Sequence, residues 1–264
     1  LTAVLEYQKE YDKPFEVNLD EYFRLYPQDN FVAVEDDEDD IFYLLDNACT
    51  DETVYKKLMD HFDSDYLDLE AKDGRDQNIL THFLITVDAN FRTECVRNII
   101  KKIMQIFSDA EEVYINYYTE KNVDENYAYM VAAGNPYIDS DIFKEILNTT
   151  LIYFEDAPDT IRYLINIHNT NDDTALSMCI KSYLEEDSEI QPDLRKDMFE
   201  KMQVLVRKGA NPDETASISE PPFYWALSTL DVSLIRLFIK HGANVNGTSS
   251  NPLLYLYWSL VSIK

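Results

Sequence analysis

Gly209-Ala210-Asn211-Pro212-Asp213 recurs further along the chain as Gly242-Ala243-Asn244-Val245-Asn246. Each copy follows an amphipathic stretch: Phe199, Met202, Leu205 and Val206 before the first, Leu234, Ile235, Phe238 and Ile239 before the second. Apolar residues three and four apart share one helix face, so both stretches read as helices with a buried side. The glycine after each supplies the left-handed turn in which helices commonly end. Between the copies, Pro221-Pro222-Phe223-Tyr224-Trp225-Ala226 opens another helix, with proline at the first turn, where its missing N–H costs nothing. One helix pair per period of about 33 residues is the pattern of a repeat array, in which each unit buries its apolar face against its neighbours.

The phase continues upstream in looser form. Glu70 to Asn78 reads as a loop leading into Ile79-Leu80-Thr81-His82-Phe83, and Asn166 to Thr174 as one leading into Ala175-Leu176-Ser177-Met178-Cys179. A third loop is placed at Val113-Tyr114-Ile115-Asn116, before a helix opening at Asn126. Val96, Ile99, Ile100, Ile103, Met104 and Phe107 give the intervening helix one buried face. The intervals between loop starts at Glu70, Asn116, Asn166 and Asp213 are all longer than the last one, from Asp213 to Asn246, so the upstream repeats are enlarged. Leu184 to Asp193 reads as an insertion between the two helices of one repeat. A first, degenerate unit spans Ile41 to Phe62. Ahead of it, repulsion within the acidic run Glu35 to Asp40 favours an exposed loop, and the aromatic-rich segment before that reads as a cap over the terminal repeat.

From Pro221 to Asn246 the sequence resembles an ankyrin repeat, with Pro221–Ala226 matching its T-P-L-H-x-A opening. The expected fold is all-α, an ankyrin-type helical solenoid of stacked helix-loop-helix repeats with irregular insertions. It divides into a capping segment with the acidic loop, 1–40, and an array of about five to six degenerate repeats, 41–264. The start at Leu1 and the apolar run near the end read as a piece of a longer protein. Enlarged repeats are similar to those of poxviral host-range proteins and of fungal cell-cycle transcription scaffolds. The resemblance implies a non-enzymatic adaptor that binds another protein on a concave face built from hairpin tips and first helices. On that face it places Arg75, Gln77, Glu125, Asn171, Asp173, Ser217, Glu220, Tyr224, Trp225 and Ser228. Gln77, Glu125, Asp173 and Glu220, each read as the residue before a first-helix opening, are expected to form an acidic stripe; the plainer reading is that acids favour helix amino-termini. Trp225 and Tyr224 read either as core between repeats or as binding anchors.

Charge narrows the partner. With 50 acidic against 23 basic side chains the formal net charge is -27, a field that repels phosphate backbones and anionic lipid and attracts a partner with a basic surface. Direct nucleic-acid and membrane binding are therefore not expected. No apolar stretch approaches the roughly 20 residues of a membrane span. Cys49, Cys95 and Cys179 form no C-x-x-C pair and read as reduced core thiols of an intracellular protein, cytoplasmic or nuclear. His61, His82, His168 and His241 lack metal-ligand spacing, the five glycines form no phosphate loop, and no paired-carboxylate motif suggests catalysis. No cofactor or metal is expected. Beside the binding module stands a second reading, a structural spacer between flanking domains.

Overall fold

Helix termini organise this chain, because many of the described helices begin at a side chain that accepts from their first free N–H groups. The computed structural model describes residues 40–64, 67–109, 114–152, 154, 157–185, 192–214 and 220–246. Asp40 accepts from Phe42 N to start α1 (Ile41–Ala48), and Asp51 accepts from Thr53 and Val54 N to start α2 (Glu52–Phe62). Asn78 caps α3 (Ile79–Thr86) through Thr81 N, and α4 (Thr93–Asp109) follows. Short α5 (Tyr114–Thr119) precedes α6 (Ala128–Gly134) and α7 (Ser140–Ile152), the last capped by Asp139 through Ile142 N at 2.9 Å. Pro158 occupies the first turn of α8 (Pro158–Ile165). Then come α9 (Ala175–Glu185), α10 (Pro192–Arg207), α11 (Pro222–Thr229) and α12 (Val232–Lys240), the last capped by Asp231. A capping oxygen of this kind contributes about 1 kcal/mol per helix.

The helices pair as α1–α2, α3–α4, α6–α7, α9–α10 and α11–α12, and the pairs stack in chain order. First helices form one row, α1 on α3, α3 on α6, α6 on α9 and α9 on α11. Behind them α2 packs on α4, and α7 on α10, which packs on α12. Short α5 packs against α4, α6 and α7, inside the second row. The predicted apolar face of α4 is buried throughout, from Val96 to Phe107, and the first helices are buried nearly all round because each lies between two neighbours and its own partner.

Gly209 and Gly242 stand at equivalent ends of α10 and α12. Their φ angles are +102° and +99°. Ala210 N donates to Leu205 O and Ala243 N to Phe238 O, both at 3.0 Å, so the last carbonyls of each helix are met in the same way. A Cβ at Gly209 would touch nothing within 4 Å, so any cost of a side chain there is backbone strain alone. Gly209→Ala should lower stability by about 1–2 kcal/mol in urea unfolding. No change would mean that the turn is not left-handed in solution.

The enlargement of the upstream repeats has two sources. The expected insertion at Leu184 to Asp193 does separate α9 from α10, though helix extends to Glu185 and resumes at Pro192. The other source is extra helix: α5 and α8 each add a turn or two between a second helix and the next loop. Part of the stretch read as a loop at Val113 to Asn116 is therefore helical, and the hairpin it was meant to mark begins at Asn122. Tyr114–Thr119 is only six residues long, too short to show a helical apolar period, and its tyrosines and Asn116 are weak helix formers, so nothing in the sequence marked it as helix. The expected capping segment, apart from Asp40, lies outside the described residues, as do Ser217 and the apolar run from Leu253 to Ile263.

Candidate protein-binding face

Three hairpins between helix pairs share one construction. Their heads are Asp73, Asn122 and Asn169. Each head's side-chain oxygen accepts from the backbone N–H two residues on (Arg75 2.8 Å, Asp124 3.0 Å, Asn171 2.9 Å) and four residues on (Gln77, Asn126 and Asp173, all 2.9 Å). Each head N–H donates to the carbonyl four residues on, closing the loop at 3.0–3.1 Å. The fourth residue of each loop, Asp76, Glu125 and Asp172, is left-handed, with φ 59°, 58° and 62°. Asn211 and Asn244 are heads of the same kind, each accepting from the N–H two residues on at 3.0 Å. From Asp73 through Asn122, Asn169 and Asn211 to Asn244 the interval between heads shortens at every step, which replaces the uneven spacing read from the sequence.

Neighbouring hairpins are bonded to one another. Thr170 N donates to Asp124 O at 3.0 Å, Asn169 Nδ2 to Asn126 Oδ1 at 2.9 Å, and Asn244 N to Asp213 Oδ2 at 2.7 Å. Equivalent positions of successive repeats therefore lie along one edge. The residue before the head is basic in the three upstream loops (Lys72, Lys121, His168), and the two lysines reach the left-handed acids, Asp76 at 3.3 Å and Glu125 at 3.2 Å. Asp124 and Asp172 have no ion-pair partner among the described residues, nor does Glu214, whose N–H donates to the head carbonyl Asn211 O.

No protein-family profile matches the sequence, and no curated protein matches it. Among solved structures, the crystal structure of the ankyrin repeat domain of Bcl-3, a member of the IkappaB protein family, matches over 84% of each chain with 17% identity and a TM-score of 0.50. The fold is a divergent ankyrin-repeat solenoid. Its ankyrin hairpins fix where each expected site residue lies. Arg75 and Asn171 share the third loop position, as does Asp124, the member of that row the sequence reading passed over. The expected stripe of Gln77, Glu125, Asp173 and Glu220 mixes two rows, because the first-helix opening of the middle repeat was placed at Asn126, two residues before α6 begins at Ala128. In the true register Gln77, Asn126 and Asp173 form a row that is 3%, 7% and 8% exposed. That row is structural: Asp173 pairs with Lys181 at 2.6 Å and accepts from Ser177 Oγ at 2.9 Å. The outward acidic row is one residue earlier, Asp76, Glu125 and Asp172, with Glu214 in the corresponding place. The signal was present as an Asp or Asn followed three residues later by an acid.

Tyr224 is buried core and not a surface anchor. Trp225 is half-buried, its indole donating to Glu220 O at 3.1 Å, and Ser228 Oγ turns back to Tyr224 O at 3.3 Å. His82 joins two repeats, with Nδ1 2.7 Å from Asp73 Oδ2 and Nε2 3.0 Å from Asp46 Oδ1. Burial pushes the Asp73 carboxyl up, but bonds from His82, Gln77 and Arg75 outweigh it and hold the group below the usual carboxylate range. Cys49 and Cys95, distant in sequence, are neighbours in the core, where Cys95 Sγ donates to Ala48 O at 3.7 Å, and their interaction raises the Cys49 thiol and lowers the Cys95 thiol. Burial pushes Cys179 up to about 12.

A groove of about 420 Å³ lies over α6, between α3 and α9. Its walls include Ile85, Val131 and Met178, with Asn122 and Asp124 from the hairpin. Gly134 keeps the floor low, since a Cβ there would sit 3.1 Å from Met178 Cε. Among the described residues no group of three or more His, Cys, Asp or Glu is placed to hold a metal ion, and no helix is long and apolar enough to cross a membrane.

Proposed function

We propose that this chain is a protein-interaction module that holds a partner with a basic surface against the first helices and hairpin tips, with residues 41–264 as the repeat array and 1–40 as its cap. The observation that carries this reading is the outward acidic row. Its members in the two upstream hairpins are met by the protein's own lysines, whereas Asp172, Glu214 and neighbouring Asp124 have no cationic partner among the described residues; Glu214 accepts a hydrogen bond from Asn211 Nδ2 at 3.0 Å, which leaves its charge unneutralised. The net charge of -27 adds long-range attraction for a cationic partner, which speeds encounter more than it tightens the final complex. The same field makes direct binding to nucleic acid or anionic lipid unfavourable.

Asp172→Asn with Glu214→Lys tests it, because asparagine tolerates the left-handed backbone at position 172 and the change at 214 gives up only one hydrogen bond, from Asn211 Nδ2, while the head oxygen of Asn211 keeps its bond from Asp213 N. Affinity for the partner captured from cells should fall by about tenfold at low salt and by less at high salt. Unchanged affinity and salt slope would reject the acidic row as the contact.

A further inference from the structure

The groove over α6 has the makings of a specific subsite. Its apolar wall includes Ile85, 38% exposed, where the rest of α3 up to Leu84 is buried. An exposed isoleucine on α3 and half-buried Met178 on α9, both lining the groove, give an aliphatic side chain a place to leave water. At the hairpin end stands Asn122, which is 7% exposed. Its Oδ1 accepts from Asp124 N at 3.0 Å and Asn126 N at 2.9 Å, which fixes the orientation of the amide. Its Nδ2 has no acceptor among the described residues. A buried amide donor without a partner is rare, and it lies in the wall of the groove. Asp124, exposed and without an ion pair among the described residues, stands beside it.

We infer that this groove binds an extended segment of a partner protein, taking an aliphatic side chain between Ile85, Val131 and Met178, a backbone carbonyl on Asn122 Nδ2, and an adjacent lysine or arginine on Asp124. The inference rests on the interaction-module reading above and adds the kind of segment recognised. Each part of the occupant answers one feature. The apolar wall needs a side chain without charge, the donor needs a carbonyl, which every extended peptide carries, and the free carboxylate needs a cation. An acidic segment would meet Asp124 and the acidic row together and be repelled.

A displayed library of random dodecapeptides, selected against the full chain, tests it. The selected peptides should share an aliphatic residue next to lysine or arginine. Their dissociation constants should rise by about tenfold in Ile85→Gln and again in Asp124→Lys. Both residues are exposed, so the variants should unfold at the same temperature as the parent. The Asn122 side-chain amide protons should move downfield in NMR spectra on peptide addition. Selection of no binder, of acidic peptides, or of peptides indifferent to both variants would overturn the subsite. In that case, partner capture that still responds to Asp172→Asn with Glu214→Lys would leave the module reading standing, and loss of that response as well would remove both.

Discussion

Lys201→Ala is expected to destabilise the protein by about 3–5 kcal/mol, because it opens a cavity and strands two buried carbonyls. Lys201 sits in α10 with no solvent exposure. Its Nζ donates to Ala132 O at 2.9 Å and Asn135 O at 2.6 Å, at the carboxyl end of α6 in the preceding repeat, where the helix dipole favours a cation. Lys201→Met keeps most of the volume and loses the donor, so it should cost less, about 1–2 kcal/mol near pH 7.

The same residue has a pH signature. Burial depresses the Lys201 ammonium to about 8, and the nearby Cys179, Asp197 and Asp139 only partly oppose it. Above pH 8 the folded protein gives up this proton, while the unfolded chain keeps it to about pH 10.4, so between those values the unfolded state binds more protons and stability rises with pH. The parent should therefore gain on Lys201→Met by roughly 3 kcal/mol between pH 7 and 10.5, measured as the difference between their urea unfolding free energies. Taking the difference removes the tyrosines, which titrate alike in both. A flat difference would mean that the ammonium is hydrated.

Tyr129→Ala should be comparably severe, at about 4 kcal/mol. The ring is fully enclosed in α6, and its hydroxyl donates to Leu164 O at 2.5 Å, tying the added helix α8 to the first-helix row. Burial raises its phenol far above the usual range, so it stays neutral and a donor. Tyr129→Phe separates the two contributions. It keeps the packing and leaves one buried carbonyl unmet, for a loss of about 1–2 kcal/mol. If Tyr129→Phe costs as much as Tyr129→Ala, the hydroxyl and not the ring secures α8.

These residues belong to a pattern that single-repeat reading does not reveal. The carboxyl end of each upstream first helix is met by a side chain of the following repeat. Arg92 Nε donates to Cys49 O after α1, Asn135 Nδ2 to Leu84 O and Val87 O at the end of α3, and Lys201 with Ser182 Oγ to the end of α6. A helix end leaves carbonyls unpaired, and burial between stacked repeats makes them costly, so the neighbour must supply the donor. The partners lie 43 to 69 residues apart along the chain and follow no period.

The recurring Gly-Ala-Asn, the glycine at each of those helix ends and the apolar spacing of α4, α10 and α12 were sufficient in the sequence to fix helix pairs stacked in order, since those features are local and each has one stereochemical use. The hairpin register was not fixed that way. One misplaced opening, at Asn126, put exposed Glu125 into a row whose true member is the buried Asn126, because the opening was read from the helix that follows and not from the head residue Asn122. The head's bonds to Asp124 N and Asn126 N set that register, and tertiary bonds bury the row: Asn169 to Asn126 across neighbouring loops, and Lys181 of α9 to Asp173. The stacking also decided that Tyr224 is core, that Cys49 meets Cys95, and that a groove opens over α6, because burial depends on what the next repeat places opposite a side chain.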